Sequence, residues 1–429
     1  MIKLPFFTSQ YSLFKIFLFN IRFQSCPPDR ERAETIRAVS RFVRASLFRG
    51  FLARIVLPVL FVGMFTGCQN PSVTANDLSE LPRTLTDGFN NQRWYFNNTV
   101  LRPPFEKQKS KNINGVSNGF FYPLRENLLV STFNGYLLTI NRIELNRVHR
   151  IRLARGITAP PAFYRPLVFI ASEKGKYGLQ AYDLLLHKIL WKKKGLFSRS
   201  SPLIAEKTVF HATLKGKIIA LNSLSGKQLW LFDSGMSINA NLAMHGDTLV
   251  ACTPDGLLMA LDALRGNILW KQKIEHHFFA PPMILRGNVY LPDIRGVIWA
   301  LRLSDGTIRR KAATGNAPIY KPCSTDGERI YLMDSKGYVY CFTPELKQIW
   351  AKELIGVPMQ PVIVTHNLLL ITTAQKYLYL LQKTSGKIVQ KKHLKHRADV
   401  VLPGNAHTLY LSVEYDHLEK WQSTGAENK

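Results

Sequence analysis

Acidic, histidine and cysteine side chains are where catalysis or metal binding would have to reside in this chain, and their placement supplies neither. Only 29 of 429 residues are Asp or Glu, against 57 Lys or Arg. Many acids occupy turn slots, such as Asp183, Asp262 and Asp305, where hydrogen bonding to nearby backbone is reason enough for the residue. Asp293 and Asp334 follow apolar strands but have no partner that would complete a general acid–base pair. His276-His277 is the one adjacent histidine pair; on a strand such neighbours face opposite ways, so both cannot ligate one metal. Cys252, Cys323 and Cys341 fall on expected strands, with Cys323 and Cys341 separated by an intervening strand, about 9–10 Å. A disulfide needs Cα atoms roughly 4.4–6.8 Å apart. These cysteines are read as small apolar packing residues, and no catalytic, metal or cofactor-binding residue is assigned.

The elements that hold these residues come from a repeat. Glycine, an apolar run and a polar step return at Gly135, Gly178, Gly216, Gly256, Gly296 and Gly337, with Lys376 and Asp416 in two weaker copies. Successive gaps are 43, 38, 40, 40, 41, 39 and 40 residues. A period near forty built from β-forming residues means a radial array of small sheets. Each period contains four short strands punctuated by Gly, Asp, Asn and Pro. The two central strands are apolar on both faces, as a sheet covered by neighbouring sheets requires. The expected fold is all-β: an eight-bladed propeller of four-stranded antiparallel blades, with seven blades as the alternative. Asp293 and Asp334 would then face one mouth of its channel.

Glycine suits a tight turn before the third strand, where positive φ is cheap; Asp416 substitutes there, whereas Lys376 implies a differently shaped turn. Trp191, Trp230, Trp270 and Trp350 follow their glycines by 13 or 14 residues, on the outer strand. Repetition around the ring favours blade-to-blade packing over an aromatic ligand cage. The last copy lacks an outer strand. Gln92-Arg93-Trp94-Tyr95-Phe96 resembles Gln228-Leu229-Trp230-Leu231-Phe232, so this segment, with Trp94, is expected to complete the last blade and remove open edges.

The pattern Gly-x-apolar-x-Ala-Leu-Asp/Asn-x-x-x-Gly-Lys-x-x-Trp, clearest at 216–230 and 256–270, resembles the pyrroloquinoline-quinone-type propeller repeat. Quinoprotein alcohol dehydrogenases carry it, as do the propeller lipoproteins of the outer-membrane β-barrel assembly machinery. The resemblance covers residues 91–423 and is specific for fold, not activity. A dehydrogenase of that family would need a quinone pocket, calcium held by acidic and amide groups, a catalytic aspartate and commonly an adjacent cysteine pair. No Cys-Cys pair exists here. The resemblance therefore implies a non-enzymatic scaffold that binds the barrel-inserting subunit or unfolded clients, with partner-binding residues unknown. A quinoprotein-like enzyme and a cell-wall polysaccharide binder are the alternatives.

The N-terminal segment points the same way. Residues 1–67 carry ten Lys and Arg against three acids and end in the apolar run Ile55–Phe65, too short to span a bilayer but suited to a signal-peptide core. Phe65-Thr66-Gly67-Cys68 resembles the bacterial lipoprotein cleavage box, which implies lipid attachment at Cys68. Several acyl chains hold a protein on a membrane at about 0.8 kcal/mol per buried CH₂. Gln69-Asn70 after the cysteine resembles the outer-membrane sorting pattern. The organisation expected is 1–67 extension and signal peptide, 68–90 lipidated tether, 91–423 propeller and 424–429 tail. Residues 1–45 exceed a normal leader, so translation either starts downstream or this stretch has a further role. The net charge of +28, with runs at 192–194, 309–311 and 391–392, favours anionic partners. Nucleic acid is not expected for an exported protein, nor is a small-molecule substrate.

Overall fold

Blade 4 shows how the repeat folds. Its strands are Ala243–His245, Thr248–Cys252, Leu257–Asp262 and Ile268–Lys273, paired antiparallel in that order. The middle strands are buried almost end to end, while on the outer strand only Trp270 is buried. The computed structural model describes residue 73 and residues 84–426 except Asn316, and these belong to one compact unit. The expected extension and signal peptide, Cys68 and most of the expected tether lie outside the described residues.

Eight such sheets succeed one another along the chain. Their inner strands begin at Ser117, Ala162, Leu203, Ala243, Met283, Ser324, Ile363 and Ala398. The cores lie between blades. Phe210, Ile218 and Trp230 of blade 3 share one apolar cluster with Leu249, Met259 and Leu261 of blade 4. A single larger cluster runs from Leu370 and Leu380 of blade 7 through Val401 and Leu411 of blade 8 to Leu128 and Leu138 of blade 1, closing the ring. The architecture is an eight-bladed β-propeller.

Each tryptophan of the outer strands bridges to the following blade. The indole N–H of Trp191, Trp230 and Trp270 donates to the carbonyls of Ser223, Ala263 and Leu303 at 2.8, 2.8 and 2.7 Å, and that of Trp350 to Lys383 at 3.2 Å. The ring itself lies over the second glycine of the repeat. A Cβ on Gly226, Gly266, Gly306 or Gly386 would sit 2.7, 2.6, 2.5 or 2.7 Å from the indole, so the ring can approach only because no side chain is there. In the first seven blades a register shift separates this part of the outer strand from its neighbour, as between Ala260 and Leu261. Such bulges strengthen the twist that lets blades stack radially.

Several sequence expectations need correction. Gly178 does not adopt positive φ; its missing side chain admits the Leu196 backbone, 2.2 Å from where a Cβ would lie. Lys376 does adopt it, at φ 65°, with the turn bond Lys376 N to Thr373 O (3.0 Å) matching Gly216 N to Thr213 O (3.0 Å), so the turn is the same one. The strand that completes blade 8 is Phe105–Asn112, from Phe105↔Ser423 to Asn112↔His417, rather than residues 92–96. Trp94 accordingly sits on no outer strand; its indole N–H donates to the Ile284 carbonyl at 2.7 Å, on an inner strand. Cys252 and Cys341 lie on strands and Cys323 just precedes one; all three are free and buried, and burial pushes each thiol up to about 12, which makes them inert.

Candidate functional site

Residues just ahead of the inner strands, or at their start as with Asn118 and Asp399, surround the hub. Asn118, Pro160, Asn241, Pro281, Lys321, Gln360 and Asp399, contributed by seven blades, line a cavity of about 860 Å³. One side is formed by residues 85–89 and Tyr95, which belong to a belt drawn across the inner strands. Thr84 and Leu85 pair with Tyr164 and Phe163 of blade 2. The Asn91 amide donates to Ile204 O of blade 3 at 2.8 Å. The carbonyls of Asn91, Gln92, Trp94 and Tyr95 accept from Met244, Ile284, Thr325 and Val364 of blades 4 to 7, all within 2.8–3.0 Å. Arg102 N then donates to Ala406 O of blade 8 at 3.0 Å. Residues 84–90, expected to belong to the tether, are thus part of this belt.

Arg93 anchors the belt. Its guanidinium is wholly buried, with Nε donating to Leu242 O at 2.7 Å and a terminal nitrogen to Asp87 O at 2.5 Å. Burial lowers its pKa, partly offset by Asp87. The Asp87 carboxylate accepts from Tyr95 Oη at 2.7 Å and from the Asn241 amide. Arg93, Asp87 and Asn241 therefore fix the belt to the rim of blade 4 through buried hydrogen bonds, with one terminal nitrogen of Arg93 left without a partner.

The remaining cavity charges are mixed. Burial lowers the pKa of Lys321, opposed by Asp399 and Asp87. Burial raises that of Asp399, opposed by Arg397, whose Nε lies 3.2 Å away. Arg397 also reaches Glu414 at 3.5 Å. Gln360 is committed to the Val401 backbone, donating to its carbonyl at 3.2 Å and accepting from its N–H at 3.0 Å. A quinone–calcium pair does not fit these residues. Asp87 is engaged by the belt, Asp399 and Glu414 by Arg397, and among the described residues no three His, Cys, Asp or Glu side chains converge on one point.

Asp293 and Asp334 do not face the channel mouth as expected. The Asp293 carboxylate is fully buried in the turn between second and third strands. It accepts from Arg295 N and Val297 N at 2.8 Å and from the Trp299 indole at 2.9 Å. Asp334 repeats this with Lys336 N, Tyr338 N and Tyr340 Oη. The hydroxyls of Thr132, Thr213, Thr253 and Thr373 take the same place, each accepting from the N–H four residues on. Every one stands three residues before its turn glycine or Lys376, a periodicity legible in the sequence and missed. His276 and His277 lie in a loop, not on a strand. His276 contacts the Asp293 carboxylate at 2.5 Å and His277 the Pro254 carbonyl at 3.2 Å, so the two rings share no site.

A family model described as outer membrane protein assembly factor BamB matches residues 214–342, which run from blade 3 into blade 6. BamB of Shewanella oneidensis is 26% identical over 262 residues, covering 56% of this chain and 63% of the relative. BamB of Yersinia pestis is 23% identical, covering 58% and 66%. A quinohemoprotein alcohol dehydrogenase of Pseudomonas putida is 24% identical over 178 residues, 36% of this chain and 25% of the enzyme. The chain thus spans just under two thirds of the two BamB relatives. Among solved structures, BamB from Moraxella catarrhalis superposes with a TM-score of 0.59 at 15% identity, covering 74% of this chain and all of that one. Quinohemoprotein alcohol dehydrogenase from Comamonas testosteroni gives 0.64 at 11% identity, with 83% of each chain covered. With the ring geometry, these similarities identify the chain as a propeller of the pyrroloquinoline-quinone-type repeat, resembling the outer membrane protein assembly factor BamB.

Proposed function

We propose that this protein is a non-enzymatic scaffold lipoprotein of the outer membrane. It would be anchored through acyl chains on Cys68, face the periplasm, and assist assembly of β-barrel proteins by binding the barrel-inserting subunit, unfolded clients or both. The observation that carries this reading is the BamB family match over blades 3 to 6. A rigid ring whose inter-strand loops crowd its two mouths supports it, because a stacked scaffold holds binding loops in fixed relation. Capture of the affinity-tagged full chain from detergent-solubilised envelope is the test. Co-purification of the barrel-inserting subunit is the expected result, and its absence overturns the assembly role. Metabolic labelling with a radioactive fatty acid should mark the wild type and not Cys68→Ala.

The dehydrogenase similarities support a second reading, a bound quinone. Titration with pyrroloquinoline quinone and calcium decides it: a stoichiometric shift in quinone absorbance would replace the scaffold reading with a cofactor-binding one.

A further inference from the structure

A second concave feature lies between blades 1 and 2, away from the hub. The outer strand of blade 1 ends at Arg152 and the chain continues to Arg155; facing them is the blade 2 turn that carries Lys174 and Lys176. Gln180, on the third strand of blade 2 and 97% buried, donates its amide to Leu153 O and so pins the exit of blade 1 against blade 2. Ser172 Oγ bonds to Lys174 O (3.1 Å) and Tyr177 O (2.8 Å), which folds the turn back on itself. Gly175 completes the reversal at φ +115°. Between these walls is a cleft of about 300 Å³ lined by Arg152, Arg155, Lys174 and Lys176.

All four cations lack a carboxylate within ion-pairing distance among the described residues. The acid adjacent in sequence, Glu173, is turned to Arg199 at 2.5 Å. Tyrosines brace the cations: Arg152 lies 5.6 Å from the Tyr136 ring centre, and Lys176 and Lys192 lie 5.6 and 5.1 Å from that of Tyr177. Blade 5 offers a contrast. Its Arg309, Arg310 and Lys311 are spread along one exposed strand and line none of the clefts described above. Four like charges on two walls of one cleft focus a positive potential where a polyvalent anion gains most. A lone carboxylate is satisfied by one guanidinium; a phosphate ester brings about two charges and three acceptor oxygens, enough for several of these donors at once.

We propose that this cleft is a binding site for phosphate-bearing groups, carried either on a soluble ester or on a lipid headgroup. The proposal is independent of the assembly role. Full-length protein is titrated calorimetrically with inorganic pyrophosphate and floated with vesicles of phosphatidylcholine alone or mixed with phosphatidic acid. Three chains are compared: wild type, Arg152→Ala/Lys174→Ala/Lys176→Ala, and the charge-matched control Arg309→Ala/Arg310→Ala/Lys311→Ala. The cleft variant should bind about tenfold or more weakly, as expected for losing several charge-assisted hydrogen bonds, and the control should bind like wild type. Site-dependent binding of pyrophosphate assigns a soluble ester, and site-dependent binding of phosphatidic acid vesicles alone assigns a headgroup. Equal loss in both variants, or no binding of either probe, overturns the site. Circular dichroism melts establish that each variant is folded, and the single exposed Lys176→Glu change should weaken binding in the same direction.

Discussion

The side-chain amide of Gln390 grips the backbone of Phe105 from both sides, donating to its carbonyl at 2.7 Å and accepting from its N–H at 2.8 Å. Gln390 lies opposite Leu380, in the register slot where Trp230 lies opposite Ala220 and Trp270 opposite Ala260. In blades 2, 3, 4 and 6 an indole bridges to the next blade from this slot; here an amide captures the first residue of the strand that seals the ring. Gln390→Ala leaves a buried N–H and C=O unpaired and should cost about 2–4 kcal/mol. Urea unfolding measures it, and an unchanged midpoint would show that the seam does not depend on this contact.

The indole of Trp270 and the bare backbone of Gly306 form a matched pair. Trp270→Ala should cost about 3–5 kcal/mol through the cavity it leaves. Gly306→Ala places a methyl group 2.5 Å from the ring at φ +73°, and should cost more than about 1 kcal/mol. In the Trp270→Ala background the clash disappears and only backbone strain remains. The double-mutant cycle should therefore show strong coupling; additive effects would refute the pairing.

Lys376 and Gly256 test what the turn slot demands. Lys376 holds a left-handed conformation that costs a non-glycine residue about 1 kcal/mol, so Lys376→Gly should stabilise by up to that amount. Gly256→Ala must instead fit a Cβ 2.0 Å from Ile274 O and should destabilise strongly. Thermal melts of the two variants should move in opposite directions.

His211 is fully buried, and burial lowers its pKa to about 4, partly offset by the bond of Nε2 to Leu196 O at 2.8 Å. The unfolded chain protonates this ring near pH 6.5 while the folded protein resists until about 4. More protons bind the unfolded state in that window, so stability falls as pH drops from about 6.5 to 4, by a few kcal/mol. Above the window this residue contributes no pH dependence. His211→Gln, which keeps a donor, should flatten the slope in denaturant midpoints across that range.

The propeller was legible because glycine returns in step with the blade and tryptophan returns in four of the eight, each fixed by a contact repeated from blade to blade. Blade closure was legible only as a requirement. Residues 92–96 imitate the outer-strand pattern in composition, yet the carbonyls of Gln92, Trp94 and Tyr95 bond to inner strands; the true closing strand, Phe105–Asn112, is mostly polar and carries no tryptophan to mark it. Asp293 and Asp334 were misplaced for a related reason. Taken singly an aspartate after a strand suggests an exposed mouth, whereas alignment with Thr213 and Thr253 would have shown a repeated turn cap. The cleft between blades 1 and 2 left no single motif, since its cations come from two separate stretches of chain.

The belt across the inner strands has a consequence for how the molecule comes together. Residues 84–112 are among the earliest of the described chain to be synthesised, yet their partners include Val364, Gln390 and Ser423, near its far end. Ordering so long a loop is entropically unfavourable until most of the sheets exist to receive it. This early stretch is therefore seated late, like a drawstring threaded through a finished hem, and a chain interrupted before its final sheet would leave Phe105–Asn112 without the strand it pairs with.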